Sequence, residues 1–437
     1  MKVLKFGGTS VGSPERMKSI LPLIMQNKPA IVVLSAMAGT TDKLVKLSSQ
    51  LYINNKDSAS VLIEGMETDY KKVAEELFRD SNILIEAGNI ITLHFDHLRS
   101  FTQDMFTIQE EKAVLAQGEL LSTSLFHLLC KEKGINSKLL PALNFMRIDE
   151  NEEPDLNYIE RNLIKELVSH PGFEIYITQG YICRNKFGEI DNLKRGGSDY
   201  TATLLGAALN AEEVQIWTDI DGIHNNDPRY VDNTFAINEI SFEEAAELAY
   251  FGAKILHPTC ILPAKNRGIP VKLLNTMNPE AEGTIIRNET DNKSHVKAVA
   301  AKDGITAIKI KSDRMLLAYG FLRAIFEVFE RYKTPIDMIT TSEVAVSLTI
   351  DNNQFLENIV TELNEYGSVE VEEGLTIICI VGNVSPEKSG IAAKIFNCIN
   401  NIPIRMISFG GSQNNISLLV KTAFKSEALN ALNEGIF

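Results

Sequence analysis

Residues Ala30–Leu34 read AIVVL, an uninterrupted apolar run that is mostly β-branched. A strand that is apolar on both faces must be covered on both, and central strands of helix-flanked parallel sheets meet that demand. The preceding residues supply the crossover that a parallel pair requires. Lys2–Phe6 is a short apolar run that stops at Gly7-Gly8. Ser13-Pro14-Glu15 then gives an N-cap, a first-turn proline and an acidic first turn, predicting a helix to about Met25. After Leu34 the chain enters a second small-residue loop, SAMAGTTD. Strand, loop, helix, strand is the opening of an α/β sandwich with a mostly parallel sheet.

Residues 58–133 lack strong strand signals and are rich in Leu, Glu, Lys, Ala and Met, so a mostly helical insertion is expected. Alternation resumes with strands predicted at 137–140, 174–178, 214–218 and 271–274 and a helix at 157–169. The chain turns polar and charged at 284–295, which marks an expected domain boundary.

Beyond it lies an internal repeat. Phe321, Leu322, Ile325, Phe326 and Phe329 form one helical face, and Ile391, Ala392, Ile395, Phe396 and Ile399 repeat its spacing. Each helix precedes a strand (IDMI at 336–339, IRMI at 404–407), a serine-containing bend and another strand. The reading is a duplicated βαββαβ unit of ferredoxin type. The first copy finds all its strands between 303 and 373, whereas the second runs out of chain before its fourth. The unassigned strand-like segment VKAVA (296–300) is expected to complete it. The expected division is therefore a catalytic region 1–295, a first unit 303–373, and a second built from 296–302 plus 374–437.

The 437 residues suit about three domains or one large domain with appendages. A net charge of −14 disfavours polyanion binding, so no nucleic-acid partner is expected, though a local pocket for a small phosphate compound remains compatible. No run approaches the roughly 18–20 apolar residues of a membrane helix, and no signal region opens the chain, so a cytoplasmic protein without a membrane partner is expected. The five cysteines are scattered, with no Cys-x-x-Cys pair and no zinc-like cluster, and read as reduced thiols.

Several enzyme classes drop out. Gly7 and Gly12 have P-loop spacing, but Ser13 stands where the lysine belongs. No protein-kinase signature, G-x-S-x-G elbow or H-E-x-x-H helix occurs. What remains are glycine-rich turns beside charges. Lys5 ends the first strand before Gly7-Gly8-Thr9-Ser10, where backbone N–H groups, a helix start and a mobile cation suit a phosphate. A second such turn, Lys194-Arg195-Gly196-Gly197-Ser198-Asp199, opens another apolar helix. Arg195 there suits a carboxylate or phosphate, while Asp199 also fits a plain first-turn position complementing the helix dipole. Thr218 and Asp219 lie at the carboxyl end of a buried strand, where open α/β sheets bind ligands.

Seven segments occur in order: KFGGTSVG (5–12), LSAMAGTTD (34–42), QGELLST (117–123), RGGSDYTA (195–202), WTDIDGI (217–223), NDPR (226–229) and FGAKILHP (251–258). As a set they resemble aspartate kinase, of the amino acid kinase superfamily. The resemblance implies a three-layer sandwich followed by two ACT-like units, and transfer of the ATP γ-phosphoryl group to the side-chain carboxylate of L-aspartate. Lys5 and Asp199 match catalytic positions, and Ser35, Thr41, Glu119, Arg195 and Ser198 the aspartate site. Gly7, Gly8, Thr9, Ser10, Gly196, Gly197, Thr218, Asp219, His224, Arg229 and Lys254 match the nucleotide site. Met315, Gly320, Phe321, Leu322, Asp337, Thr341 and Ser342 resemble the effector positions of lysine-inhibited relatives.

MgATP, a lysine effector and a homodimer or higher assembly through the ACT units are implied, while the metal ligands stay open. His224 departs from a commoner tyrosine, and Asn192-Leu193-Lys194 and Cys183-Arg184-Asn185 from commoner loop residues. A catalytically inactive amino-acid sensor and a kinase for another acidic amino acid are the competing readings.

Overall fold

The computed structural model describes residues 1–437 apart from 195, 253–255, 291–294, 313–318, 386 and 388. It forms two compact units. The first comprises Met1–Ile223, Asn238–Phe242 and Leu256–Glu289, and the second His224–Ile237, Glu243–Ile255 and Thr290–Phe437. The division thus differs from a single cut near 295, because two short segments before residue 256 group with the C-terminal sheet.

The first unit is built on an eight-stranded sheet. In spatial order its strands are Ser137–Leu139, Ile175–Gln179, Ala30–Leu34, Lys2–Phe6, Val214–Thr218, Val271–Asn275, Thr284–Arg287 and Glu239–Ser241. The first six are mutually parallel, and Thr284–Arg287 runs antiparallel to Val271–Asn275. All of Ala30–Leu34 is buried, as its composition requires. The stretch expected to be a boundary instead begins with a sheet strand, Thr284–Arg287; its Thr284 hydroxyl accepts the Ile223 amide at 2.8 Å.

On one face, Leu4, Phe6, Val32 and Leu34 share a core with the helices Pro14–Gln26, Thr40–Tyr52, Lys56–Leu77, Ser81–Ser100 and Ile108–Glu132. The last three form the expected helical insertion. Ile108–Glu132 is, by length and composition, apolar enough to cross a membrane, contrary to the expectation that no run approaches that length. Most of its apolar window is nevertheless buried inside the unit. The helix Gly197–Leu209 lies against Lys2–Phe6 and Val214–Thr218. Strand alternation puts Lys5 on the side opposite Leu4 and Phe6.

The second unit carries one six-stranded antiparallel sheet, in the order Ile339–Thr341, Ala345–Ile350, Val296–Lys311, Ser368–Gly382, Asn415–Lys421 and Ile404–Phe409. The two central strands are long because each serves both copies of the repeat. The 305–311 half pairs with Ala345–Ile350 and with 368–375, whereas the 296–302 half pairs with 377–382. Register shifts at 302–307 separate the halves. Each copy then has four strands in ferredoxin-type order, and VKAVA lies beside the strand that opens the second copy. The short strand expected at 336–339 is displaced to Ile339–Thr341. Separate cores sit under the two copies, one around Ile325, Val328 and Phe329, the other around Ile395, Leu418 and Leu429.

Candidate active site

The parallel strands end at one edge of the first sheet, and their loops build the site. Lys5 faces the helix Gly197–Leu209, and its ammonium lies 2.6 Å from Oδ1 of Asp199. Both side chains are mostly buried, at 11 and 18 % exposure, so the pair is shielded from bulk water. Asp199 stands in the first helical turn, where its charge also complements the dipole. The plain helix reading and the catalytic reading therefore describe the same residue.

The helix begins at Gly196, whose φ of +72° is left-handed and where a Cβ would overlap the Cys260 sulfur. A second close approach fixes Ser198, because a Cβ on Gly180 would lie 2.3 Å from its side chain. Ser35, at the end of the buried strand, donates its hydroxyl to Ser198 Oγ at 2.9 Å. The two glycine-rich turns and the serine loop are thereby tied together around one edge. The first amides of a helix have no intrahelical acceptors, which makes the Gly197–Ser198 end an anion-receiving surface.

A cleft of about 490 Å³ opens here, lined among others by Thr9, Ser35, Thr41, Glu119, Ser198 and Asp219. Glu119 is 5 % exposed and accepts the Ala36 amide at 3.2 Å. Burial pushes its carboxyl up to about 7, and the Ala36 hydrogen bond offsets only part of the shift. A partner cation in the cleft would stabilise its charged form. Thr41 is exposed toward the cleft while its neighbour Thr40 bonds the Tyr70 hydroxyl at 3.0 Å, pinning the helix start.

The expected residues separate into groups. Lys5, Gly7, Gly8, Thr9, Ser35, Thr41, Glu119, Gly196, Gly197, Ser198, Asp199, Thr218 and Asp219 all belong to the first unit's carboxyl edge or its neighbouring helices. Ser10 does too, but it is fully buried and its hydroxyl meets Thr276 Oγ1 at 2.6 Å, so it braces the loop instead of facing the cleft. His224 and Arg229 belong to the second unit. There His224 Nδ1 contacts the Thr234 hydroxyl at 3.1 Å, and Arg229 forms a two-pronged pair with Asp227, its side chain remaining 75 % exposed. Arg195, Lys254 and Met315 lie outside the described residues.

Of the remaining effector positions, Gly320 caps the helix Phe321–Arg331, and Thr341 and Ser342 are exposed at the end of Ile339–Thr341. The Asp337 carboxylate is covered: it pairs with Lys302 at 2.8 Å and accepts the Tyr250 hydroxyl at 2.9 Å. Tyr181 was missed. It lines the cleft with a φ of +66°, a strained conformation for an aromatic residue. No periodicity signals such a residue; its position next to Gly180 was the available hint.

The amino acid kinase family model matches residues 1–275, and an ACT domain model matches 378–435. Lysine-sensitive aspartokinase 3 of Escherichia coli K12 is 33 % identical over 457 residues, spanning 100 % of this chain and 99 % of that protein. Chloroplastic aspartokinase 2 of Arabidopsis thaliana is 32 % identical, spanning 100 % of this chain and 84 % of that one. The E. coli aspartokinase III structure with aspartate and ADP superimposes with a TM-score of 0.84 at 32 % identity, covering both chains completely. The form with lysine and aspartate gives 0.83 at 33 %, covering 100 % of this chain and 99 % of that one. Matched along its whole length in sequence and fold, the chain belongs to the aspartokinases of the amino acid kinase family.

Proposed function

We propose that this protein transfers the terminal phosphoryl group of ATP to the side-chain carboxylate of L-aspartate, forming 4-phospho-L-aspartate. The observation that carries the reading is the shielded Lys5–Asp199 pair between two glycine turns, beside a cleft that holds a buried glutamate. The acceptor carboxylate is already ionised at neutral pH, so the reaction needs no general base. Positioning and charge neutralisation carry it. Lys5 supplies the cation facing the transferring group, and Asp199 holds that ammonium in place. Arg195 receives the substrate α-carboxylate, Glu119 its ammonium, and Ser35, Thr41 and Ser198 its polar edges.

Thr218, Asp219, Arg229 and Lys254 serve the nucleotide. No cluster of three or more metal-ligating side chains occurs among the described residues. Mg²⁺ carried on ATP phosphates needs only one or two carboxylates, and Asp219 in the cleft supplies one. The ion's chemistry is to neutralise phosphate charge.

The same reading gives the second unit a regulatory role, with lysine as effector and the ACT-type sheet as the surface of a homodimer in the cytoplasm. Its support is the E. coli relative solved with lysine, and the Asp337 carboxylate, which already meets one ammonium and keeps a buried Oδ2 without a hydrogen bond to the described residues.

The test is ATP- and Mg-dependent acyl-phosphate formation from L-aspartate, trapped as the hydroxamate, with and without lysine. Turnover that is lost in Asp199→Ala and suppressed by lysine is expected. Absence of turnover with both aspartate and glutamate would favour an inactive amino-acid sensor.

A further inference from the structure

The loop between His224 and Ala236 carries Arg229, and the second unit's C-terminal helix Lys425–Ile436 grips that loop. Asn225 is fully buried, and each of its polar atoms has a partner. Its amide and carbonyl oxygen bond the Phe235 carbonyl at 3.0 Å and the Val299 amide at 2.8 Å, closing the loop and joining it to the long strand. Its side-chain oxygen accepts the Phe235 amide at 2.9 Å, and its side-chain nitrogen reaches Oδ1 of Asn433 at 3.1 Å. Asn226, also buried, donates to the Leu429 carbonyl at 3.0 Å and to the same Asn433 oxygen at 3.4 Å. Farther along, Asn430 donates to the Tyr230 carbonyl at 3.0 Å, and the Lys425 ammonium lies 3.9 Å over the Tyr230 ring. Val231 is buried in the core that holds this helix.

The loop thus has a buried foot read by amides and an exposed guanidinium at its turn, where the Asp227 carbonyl accepts the Tyr230 and Val231 amides. The Asn433 oxygen accepts from both side-chain nitrogens; losing it would take the acceptor of the Asn225 nitrogen, while Asn226 keeps the Leu429 carbonyl, and the loop's register would bear the cost.

We infer that Asn433 is a positioning residue for ATP: through Asn225 and Asn226 it sets the conformation in which Arg229 meets the nucleotide. This rests on the nucleotide role proposed for Arg229. No role in catalysis follows for Asn433 itself, which acts through the loop.

The test is steady-state kinetics on the full-length protein, with ATP and aspartate varied separately for Asn433→Leu, Asn433→Asp and Arg229→Ala. Leucine keeps the branched shape and heavy-atom count but removes the acceptor, and aspartate restores an acceptor. Asn433→Leu is expected to raise the ATP KM about tenfold, the effect of one unpaired buried donor, with the aspartate KM within about twofold of wild type. Asn433→Asp should recover most of the ATP KM. An unchanged ATP KM in Asn433→Leu overturns the inference, as does a parallel rise in both KM values or a failure of Asn433→Asp to recover. Arg229→Ala separates the premise: an unchanged ATP KM there, with a raised one in Asn433→Leu, keeps the positioning role and removes Arg229 as its beneficiary.

Discussion

Burial pushes the Glu119 carboxyl to about 7, against an ordinary 4.5, and the sign of the consequence follows from that direction. A carboxyl whose folded pKa lies above its unfolded value binds its proton more tightly in the folded state. Its contribution to stability is full below about 4.5 and is lost as pH rises through 7, at about 1.4 kcal/mol per pH unit between them. Ligand-free protein should therefore lose thermal stability relative to Glu119→Gln between pH 5 and 7, with a constant gap above. Substrate reverses the demand, because an ammonium in the cleft favours the ionised form. The aspartate KM is expected to fall from pH 6 to 8 in wild type and to be higher and flat in Glu119→Gln; a parallel pH profile in both proteins would remove Glu119 from substrate capture. Lys5 gives a different signature. Replacing it by methionine removes the cation facing developing charge, so kcat should drop about 10²–10³-fold with little change in the aspartate KM. A raised KM at unchanged kcat would instead assign Lys5 to substrate binding.

The turn after Ile175–Gln179 shows how one backbone contact controls a reactive group. An alanine methyl at Gly180 would stand 2.3 Å from the Ser198 side chain and 2.8 Å from its Cα, so the start of the helix Gly197–Leu209 must move, carrying Asp199 with it. Gly180→Ala should cost about 1–3 kcal/mol in thermal unfolding, and kcat/KM should fall by more than that loss of folded protein explains. Retained kcat/KM would show that Asp199 tolerates displacement. Gly180 also marks where sequence ceased to be informative. The strand Ala30–Leu34 was legible because burial on both faces leaves a continuous apolar run. Thr284–Arg287 was not, since its short TIIR leads straight into a polar stretch. Lys5 and Asp199 could be found as charges beside glycine turns, but Glu119 emerged only through the ordered motifs, because nothing local distinguishes it from a solvated helical carboxylate. Tyr181 and the Asn433 contacts depend on backbone twist and on residues roughly 200 apart in sequence, neither of which leaves a periodic trace.

The duplicated sheet supplies a physical route by which an effector could matter. The strands Val296–Lys311 and Ser368–Gly382 each give one half to the first copy of the repeat and the other half to the second. A ligand held near Asp337 would exchange its ammonium against that of Lys302, which sits in the same long strand as Val299 and bridges Asp337 to Asp351, each at 2.8 Å. Val299 in turn donates to the carbonyl of Asn225, at the foot of the Arg229 loop. Continuity of this kind is a hypothesis about coupling until an equilibrium shift is measured. Its expected form is specific: saturating lysine should weaken nucleotide binding, and by linkage saturating MgADP should weaken lysine binding by the same factor. Isothermal titration of each ligand, alone and in the presence of the other, measures both. Asp337→Asn should remove lysine binding, whereas Asn433→Leu should preserve it and shrink the shared factor. If the two affinities are independent in wild type, the long strands carry no signal to the nucleotide loop, and any inhibition by lysine must act on the aspartate side alone.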